Sequence, residues 1–160
     1  MNSTALKRLF RQILALPPGL TERQQQLIRA SFESVLPVQE AATTLFYQRL
    51  AHDPRLNALL KREMNGHGLM TIMGTVVDHS HCLGRLVPAL RDLGLRYDSY
   101  GATDRDYDTV ATALVGTLEQ ELGCDFTAET REAWTACYRI LAHEMKAAAI
   151  ERNMPLMPPC

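Results

Sequence analysis

Apolar residues recur along the chain at intervals of three and four, and nowhere do they alternate as a half-buried strand requires. The first stripe, Leu6, Leu9, Phe10, Ile13, Leu14 and Leu16, ends at Pro17-Pro18-Gly19 and reads as a short amphipathic helix standing apart from the remainder of the chain. Thr21 with Gln24 three residues on has the form of a capping box. It opens a helix whose apolar face is Leu27, Ile28, Phe32, Val35 and Leu36 and which Pro37 ends. A second helix is expected from Gln39 to Ala51, with Ala42, Leu45, Phe46, Arg49 and Leu50 in register and Asp53-Pro54 marking its end.

Pro54 to Leu60 reads as a short helical turn, and Asn65-Gly66-His67-Gly68 as a loop. Leu69, Ile72, Met73, Val76 and Val77 then resume helical spacing. From Leu83 to Arg96 another helix is expected, which tolerates Pro88 only in its first turn. Thr103, with Asp104 and Asp106 after it, caps the next helix, with Val110, Leu114, Thr117, Leu118 and Leu122 on its apolar face. Thr127 caps a last long helix running through Trp134, Cys137, Tyr138, Leu141, Met145 and Ile150. Short joints between about seven helices, with no repeat of fixed period, define an all-α domain over 20–152. An amphipathic extension over 1–19 precedes it, and a proline-rich tail over 153–160, expected to be disordered, ends the chain.

Within this pattern one polar side chain stands out. Leu86, Leu90, Leu93 and Tyr97 share a helical stripe, so the Tyr97 phenol faces inward just before the break at Gly101. Two readings of such a tyrosine exist. It is a core residue with a satisfied hydroxyl, or it is a ligand offered to something bound inside.

Charge narrows the partners. With 17 basic and 18 acidic residues in 160, and a net charge of −1, the chain lacks the footprint of a nucleic-acid or anionic-membrane binder. No apolar run nears the roughly 20 residues of a membrane span, and Lys7, Arg8 and Arg11 interrupt the start, so a cytoplasmic location is expected. Cys82, Cys124, Cys137 and Cys160 show no CxxC spacing, and Cys82 and Cys137 read as buried thiols. His52, His79, His81 and His143 read as surface residues.

Several segments taken together resemble one family. They are Leu45-Phe46-Tyr47-Gln48-Arg49-Leu50 with Asp53-Pro54, Leu86 through Gly94, Tyr100-Gly101, Tyr107-Asp108-Thr109-Val110, and Phe126-Thr127 through Trp134. In their order and spacing they resemble the globins, in particular bacterial single-domain globins related to flavohaemoglobin and neuroglobin. The resemblance covers Leu20 to about Ala149. It implies a globin-like three-over-three helical sandwich, haem b with its iron as cofactor, and a small diatomic or anionic ligand.

The resemblance also implies two departures. The family's Leu-Gly-x-Arg-His-x-x-Tyr-Gly stands here as Leu93-Gly94-Leu95-Arg96-Tyr97-Asp98-Ser99-Tyr100-Gly101, so Tyr97 occupies the place of the iron-binding histidine. Leu60 takes the place of the phenylalanine that wedges against haem. Tyr47 falls where these globins hydrogen-bond an iron-bound ligand. Asn65 or His67 falls on the distal helix; a loop about two residues short favours His67, also as a second metal ligand. Leu69, Ile72, Leu90 and Leu93 would line the cofactor.

Three functions are compatible with these features. The first is a Tyr97-ligated, ferric-favouring haem protein acting as a ligand or redox sensor or weak peroxidase. The second is a haem-free globin fold binding another apolar molecule or a protein. The third is an ordinary gas-binding globin in which another histidine reaches the iron. The extension is a candidate homodimer contact.

Overall fold

The computed structural model describes residues 19–63 and 68–154. The 1–18 part of the extension, the loop residues Asn65 and His67, and 155–160 of the tail lie outside the described residues. Seven α-helices succeed one another among those described: α1 Glu22–Val35, α2 Gln39–Arg49, α3 Pro54–Glu63, α4 Leu69–Asp78, α5 Val87–Ser99, α6 Asp104–Leu122 and α7 Ala128–Asn153.

The helix ends are where the side-chain chemistry places them. Thr21 Oγ1 accepts from the Gln24 backbone N–H at 3.1 Å while the Gln24 side chain accepts from the Thr21 N–H at 3.0 Å, closing the capping box. Thr127 Oγ1 accepts from the Thr130 N–H at 3.2 Å. Pro88 sits in the first turn of α5, where its missing N–H costs no helical bond. The stretch expected as one helix from Leu83 is therefore divided: a 3-10 turn, Leu83–Leu86, leads into α5.

α1 packs on α7 and α4, α2 meets α6 and α4, and the broadest approach is between α5 and α7. Ile28, Val35, Phe46, Leu50, Leu56 and Leu118 are almost wholly buried between the helices. At the α1–α7 crossing the buried Trp134 donates its Nε1–H to Ser31 Oγ at 2.8 Å, and the Ser31 hydroxyl donates to the Leu27 carbonyl at 2.7 Å. No helix among the described residues is long and apolar enough to cross a membrane.

Two expectations about single residues change. Cys137 is buried, but Cys82 is exposed, because it stands at the start of the 3-10 turn after α4, off any apolar stripe. His79 and His143 are partly buried where solvated side chains were expected. The His79 Nδ1 lies 2.8 Å from the Thr75 carbonyl oxygen one turn back.

Candidate functional site: an apolar cavity beside Tyr97

α3, α4 and α5 do not close fully on α6 and α7. Between them lies a cavity of about 170 Å³, more than ten times the ~15 Å³ that one water molecule needs. α3 contributes Leu56, Leu59 and Leu60 to its wall, α4 contributes Leu69, Ile72 and Met73, and α5 contributes Leu90, Leu93 and Tyr97. Ile72, 39% exposed, stands at the mouth. Nearly all of the surface is hydrocarbon, and such a cavity favours an apolar guest over water.

The structure thus brings together Leu60, Leu69, Ile72, Leu90, Leu93 and Tyr97, the positions to which the family resemblance pointed. It does not bring Tyr47 to the lining. Phe46 takes the inward place on α2, while the half-buried Tyr47 lies edge-on to it, 5.3 Å between ring centroids, with Lys61 Nζ 5.4 Å from its own ring. Burial raises the Tyr47 pKa above the ordinary phenol value. No histidine is among the described residues of the wall.

Tyr97 is held by the way α5 ends. Gly101 adopts φ +80°, a left-handed turn that an L side chain resists. This lets the Ala102 N–H donate to the Tyr97 carbonyl at 3.0 Å and the Gly101 N–H donate to the Asp98 carbonyl at 2.9 Å. These are the paired bonds of a Schellman cap. The helix stops one turn beyond Tyr97, whose phenol remains part of the cavity wall.

Behind Tyr97, α6 and α7 supply groups whose cavity-facing position the sequence did not reveal. The Tyr107 ring lies 6.5 Å from that of Tyr97, tilted by 52°. Tyr138 donates its hydroxyl to the Tyr107 carbonyl at 2.9 Å. Burial, reinforced by Asp98, Asp104 and Asp106, pushes the Tyr107 pKa up to about 12, and burial raises Tyr138 further still. Both remain neutral phenols at any physiological pH. Cys137, also on the wall, has its thiol pKa pushed up to about 12 by burial, which leaves it a neutral apolar filler.

Among the described residues Asp106 is the one carboxylate on the wall. Burial opposes its charge, but hydrogen bonds from Arg55 Nη2 at 2.7 Å and from the Thr103 N–H at 2.8 Å outweigh that and hold its pKa below the ordinary range. The same pair ties the start of α3 to the start of α6. At the other end of α3, Arg62 lies over the Tyr100 ring at 4.9 Å.

The donor set limits what can be held here. Among the described residues no three His, Cys, Asp or Glu side chains gather as a metal cage. A metal in this cavity must bring most of its ligands with it. Among the described residues the oxygen groups of the wall are the phenols of Tyr97, Tyr107 and Tyr138 and the Asp106 carboxylate, of which Tyr107 and Tyr138 stay protonated and Asp106 is engaged by Arg55.

An all-α fold with an apolar cavity between its helices is the architecture of a protein that can enclose a largely hydrophobic small molecule. The globin family model matches residues 29–145, and the chain belongs to the globin family. Residues 29–145 contain every described side chain of the wall. The chain is 30% identical over 123 residues to a flavohemoprotein of Xylella fastidiosa strain Temecula1, covering 71% of this chain and 31% of that protein. It is 26% identical over 143 residues to neuroglobin-2 of Oncorhynchus mykiss, covering 79% and 90%. It therefore spans about a third of the length of the flavohemoproteins it matches. Among solved structures it resembles the flavohemoglobin of Malassezia yamatoensis, determined with bound FAD and heme. The TM-score is 0.67 and the identity 23%, covering 84% of this chain and 38% of that one. This last likeness is one of fold.

Proposed function

We propose that the chain binds haem b in this cavity with the Tyr97 phenolate as axial ligand, and that it acts as a ferric-favouring sensor of small ligands or redox state, or as a weak peroxidase, and not as an oxygen carrier. The observation that carries the reading is the presence of the Tyr97 phenol on the wall, with no histidine among the described wall residues. Bound there, haem would supply a redox-active iron.

The chain's own residues would do the rest. Leu60, Leu69, Leu90 and Leu93 exclude water, and Ile72 covers the mouth. Tyr97 must lose its hydroxyl proton to ligate. The ordinary phenol pKa is about 10, so the positive charge of the metal has to lower it, as metals do for other coordinating acids. An anionic oxygen donor then favours ferric over ferrous iron, which weakens oxygen binding. Lys61, Arg62 and Arg96 are exposed on helices that line the cavity, a chemistry suited to the carboxylates of haem. We propose His67, which lies outside the described residues, as a second iron ligand or a hydrogen-bonding residue, as the family resemblance implies. Tyr47, with Phe46 in the inward place, is assigned to support the cavity wall from behind.

Visible and resonance-Raman spectra of the haem-loaded ferric protein test the reading. A phenolate charge-transfer band that disappears in Tyr97→Phe, and gives way to an ordinary globin spectrum in Tyr97→His, is the expected result. A ferric spectrum unchanged by Tyr97→Phe refutes the ligation. Failure to develop a Soret band on haem addition favours the haem-free binder, a reading supported by the apolar character of the cavity. A stable oxygen complex favours an ordinary gas-binding globin.

A further inference from the structure

α5 carries Leu90, Leu93 and Tyr97 into the cavity on one side and rests on α7 on the other. The place where it rests is Gly94, one turn before Tyr97. A Cβ added at Gly94 would collide with the Met145 carbonyl oxygen and come within 2.6 Å of the Met145 Cα and carbonyl carbon. These are backbone atoms of a 26-residue helix, so no rotamer change relieves the collision. The two helix backbones touch here with no side chain between them.

Ion pairs and hydrogen bonds brace the same seat from either side. Arg91, three residues before Gly94, pairs with Glu151. Arg152 pairs with Asp98 and donates to the Leu95 carbonyl at 3.3 Å, and Asn153 Nδ2 donates to Asp98 at 3.3 Å. Met145 is itself part of the cavity wall, so the point of contact and the cavity share one segment of α7.

We infer that Gly94 is a positioning residue for Tyr97: its lack of a side chain sets how far α5 lies from α7, and hence where the phenol stands in the cavity. This rests on the proposal that Tyr97 ligates haem iron, and it adds that the ligand's reach is fixed by the Gly94–Met145 crossing. Carbon atoms in contact sit about 3.5 Å or more apart, so accommodating a methyl group requires α5 to move by about 1 Å. Metal–ligand distances are held to about 0.2 Å. Pushed off α7, α5 advances into the cavity with Leu90, Leu93 and Tyr97, and a shift of that size takes the phenolate out of its bonding position while the walls from α3, α4, α6 and α7 stay in place.

The test uses the full-length, haem-loaded ferric protein in four forms: wild type, Gly94→Ala, Gly84→Ala and the double variant Arg91→Ala/Arg152→Ala. A Cβ at Gly84 meets nothing within 4 Å, so Gly84→Ala controls for the loss of a glycine as such. Expected for Gly94→Ala is retention of one haem per chain with loss of the phenolate charge-transfer band, against an unchanged band in Gly84→Ala. An unchanged band in Gly94→Ala overturns the inference.

Should Gly94→Ala fail to fold, the double variant decides, since it loosens the same seat without adding an atom. A weakened or shifted band supports the positioning and an unchanged one overturns it. If wild type itself lacks the band, the ligation has failed separately. The positioning is then read from fluorine NMR of protein labelled with 3-fluorotyrosine, with Tyr97 assigned through Tyr97→Phe. A Tyr97 resonance that moves in Gly94→Ala while that of Tyr47 stays fixed supports the seat at Gly94, and an unmoved Tyr97 resonance refutes it.

Discussion

Replacing Ala142 with leucine tests whether the space beside Tyr97 is a real void. Ala142 lies on α7, 7% exposed, on the cavity wall, in a cluster with Leu90, Leu93, Tyr97 and Tyr138. Ala142→Leu places three more carbons there. Each buried methylene stabilises by about 0.8 kcal/mol, so the substitution should add about 2 kcal/mol to the haem-free protein if space exists. In a filled core the same change should cost about 1–3 kcal/mol through strain.

The cavity of about 170 Å³ decides between these outcomes in favour of the gain, because an unfilled apolar void of that size is itself worth about 4 kcal/mol of lost stability at ~24 cal/mol per Å³. The assay is urea denaturation of the haem-free protein monitored by circular dichroism, where the midpoint should rise without a change in slope. The melting temperature should rise by roughly 5 °C. The same variant should fail to take up haem, read as loss of the Soret band. Destabilisation by 1 kcal/mol or more would show the floor to be solid core, and normal haem uptake would place the cofactor elsewhere.

Two further outcomes rest on side-chain partners. Ser31→Ala removes the acceptor of the buried Trp134 indole N–H and should cost about 1–3 kcal/mol, measured by urea denaturation, with Ser34→Ala on the exposed side as the comparison near zero. Asp106 has a lowered folded-state pKa, so its charge stabilises the fold above the ordinary carboxylate range near pH 4 and that contribution is lost as pH falls through the lower folded value. The stability difference between wild type and Asp106→Asn, tracked by urea denaturation across pH 2 to 7, should be constant above about pH 5 and shrink toward zero on acidification. A difference that grows on acidification would contradict the assignment.

Local chemistry made much of the frame legible. Thr21, Thr127 and Pro88 each announced a helix start through a bond they make or cannot make, and the stripe ending in Tyr97 pointed the phenol toward the interior where it is found. The features that stayed hidden depend on partners distant in sequence. A stripe such as Trp134, Cys137, Tyr138 and Leu141 has the same spacing whether it faces solid packing or empty space, so the cavity itself left no mark on the pattern. Asp106 read as a favourable charge in a helix's first turn. Its charged partner is Arg55, 51 residues away. Gly94 was one letter of a motif until the α7 backbone was seen against it. Spacing put Phe46 in register with Ala42 and Leu50, where it is buried; the pocket position of Tyr47 came only from the family resemblance.

The Schellman cap at Gly101 acts through the carbonyl of residue 97 and the N–H of Ala102, both main-chain groups. The frame that presents the side chain at 97 is thus indifferent to which side chain is presented. A change of side chain at this one position asks for no rebuilding of the surrounding turn, so an imidazole and a phenol are exchangeable fittings on the same mount.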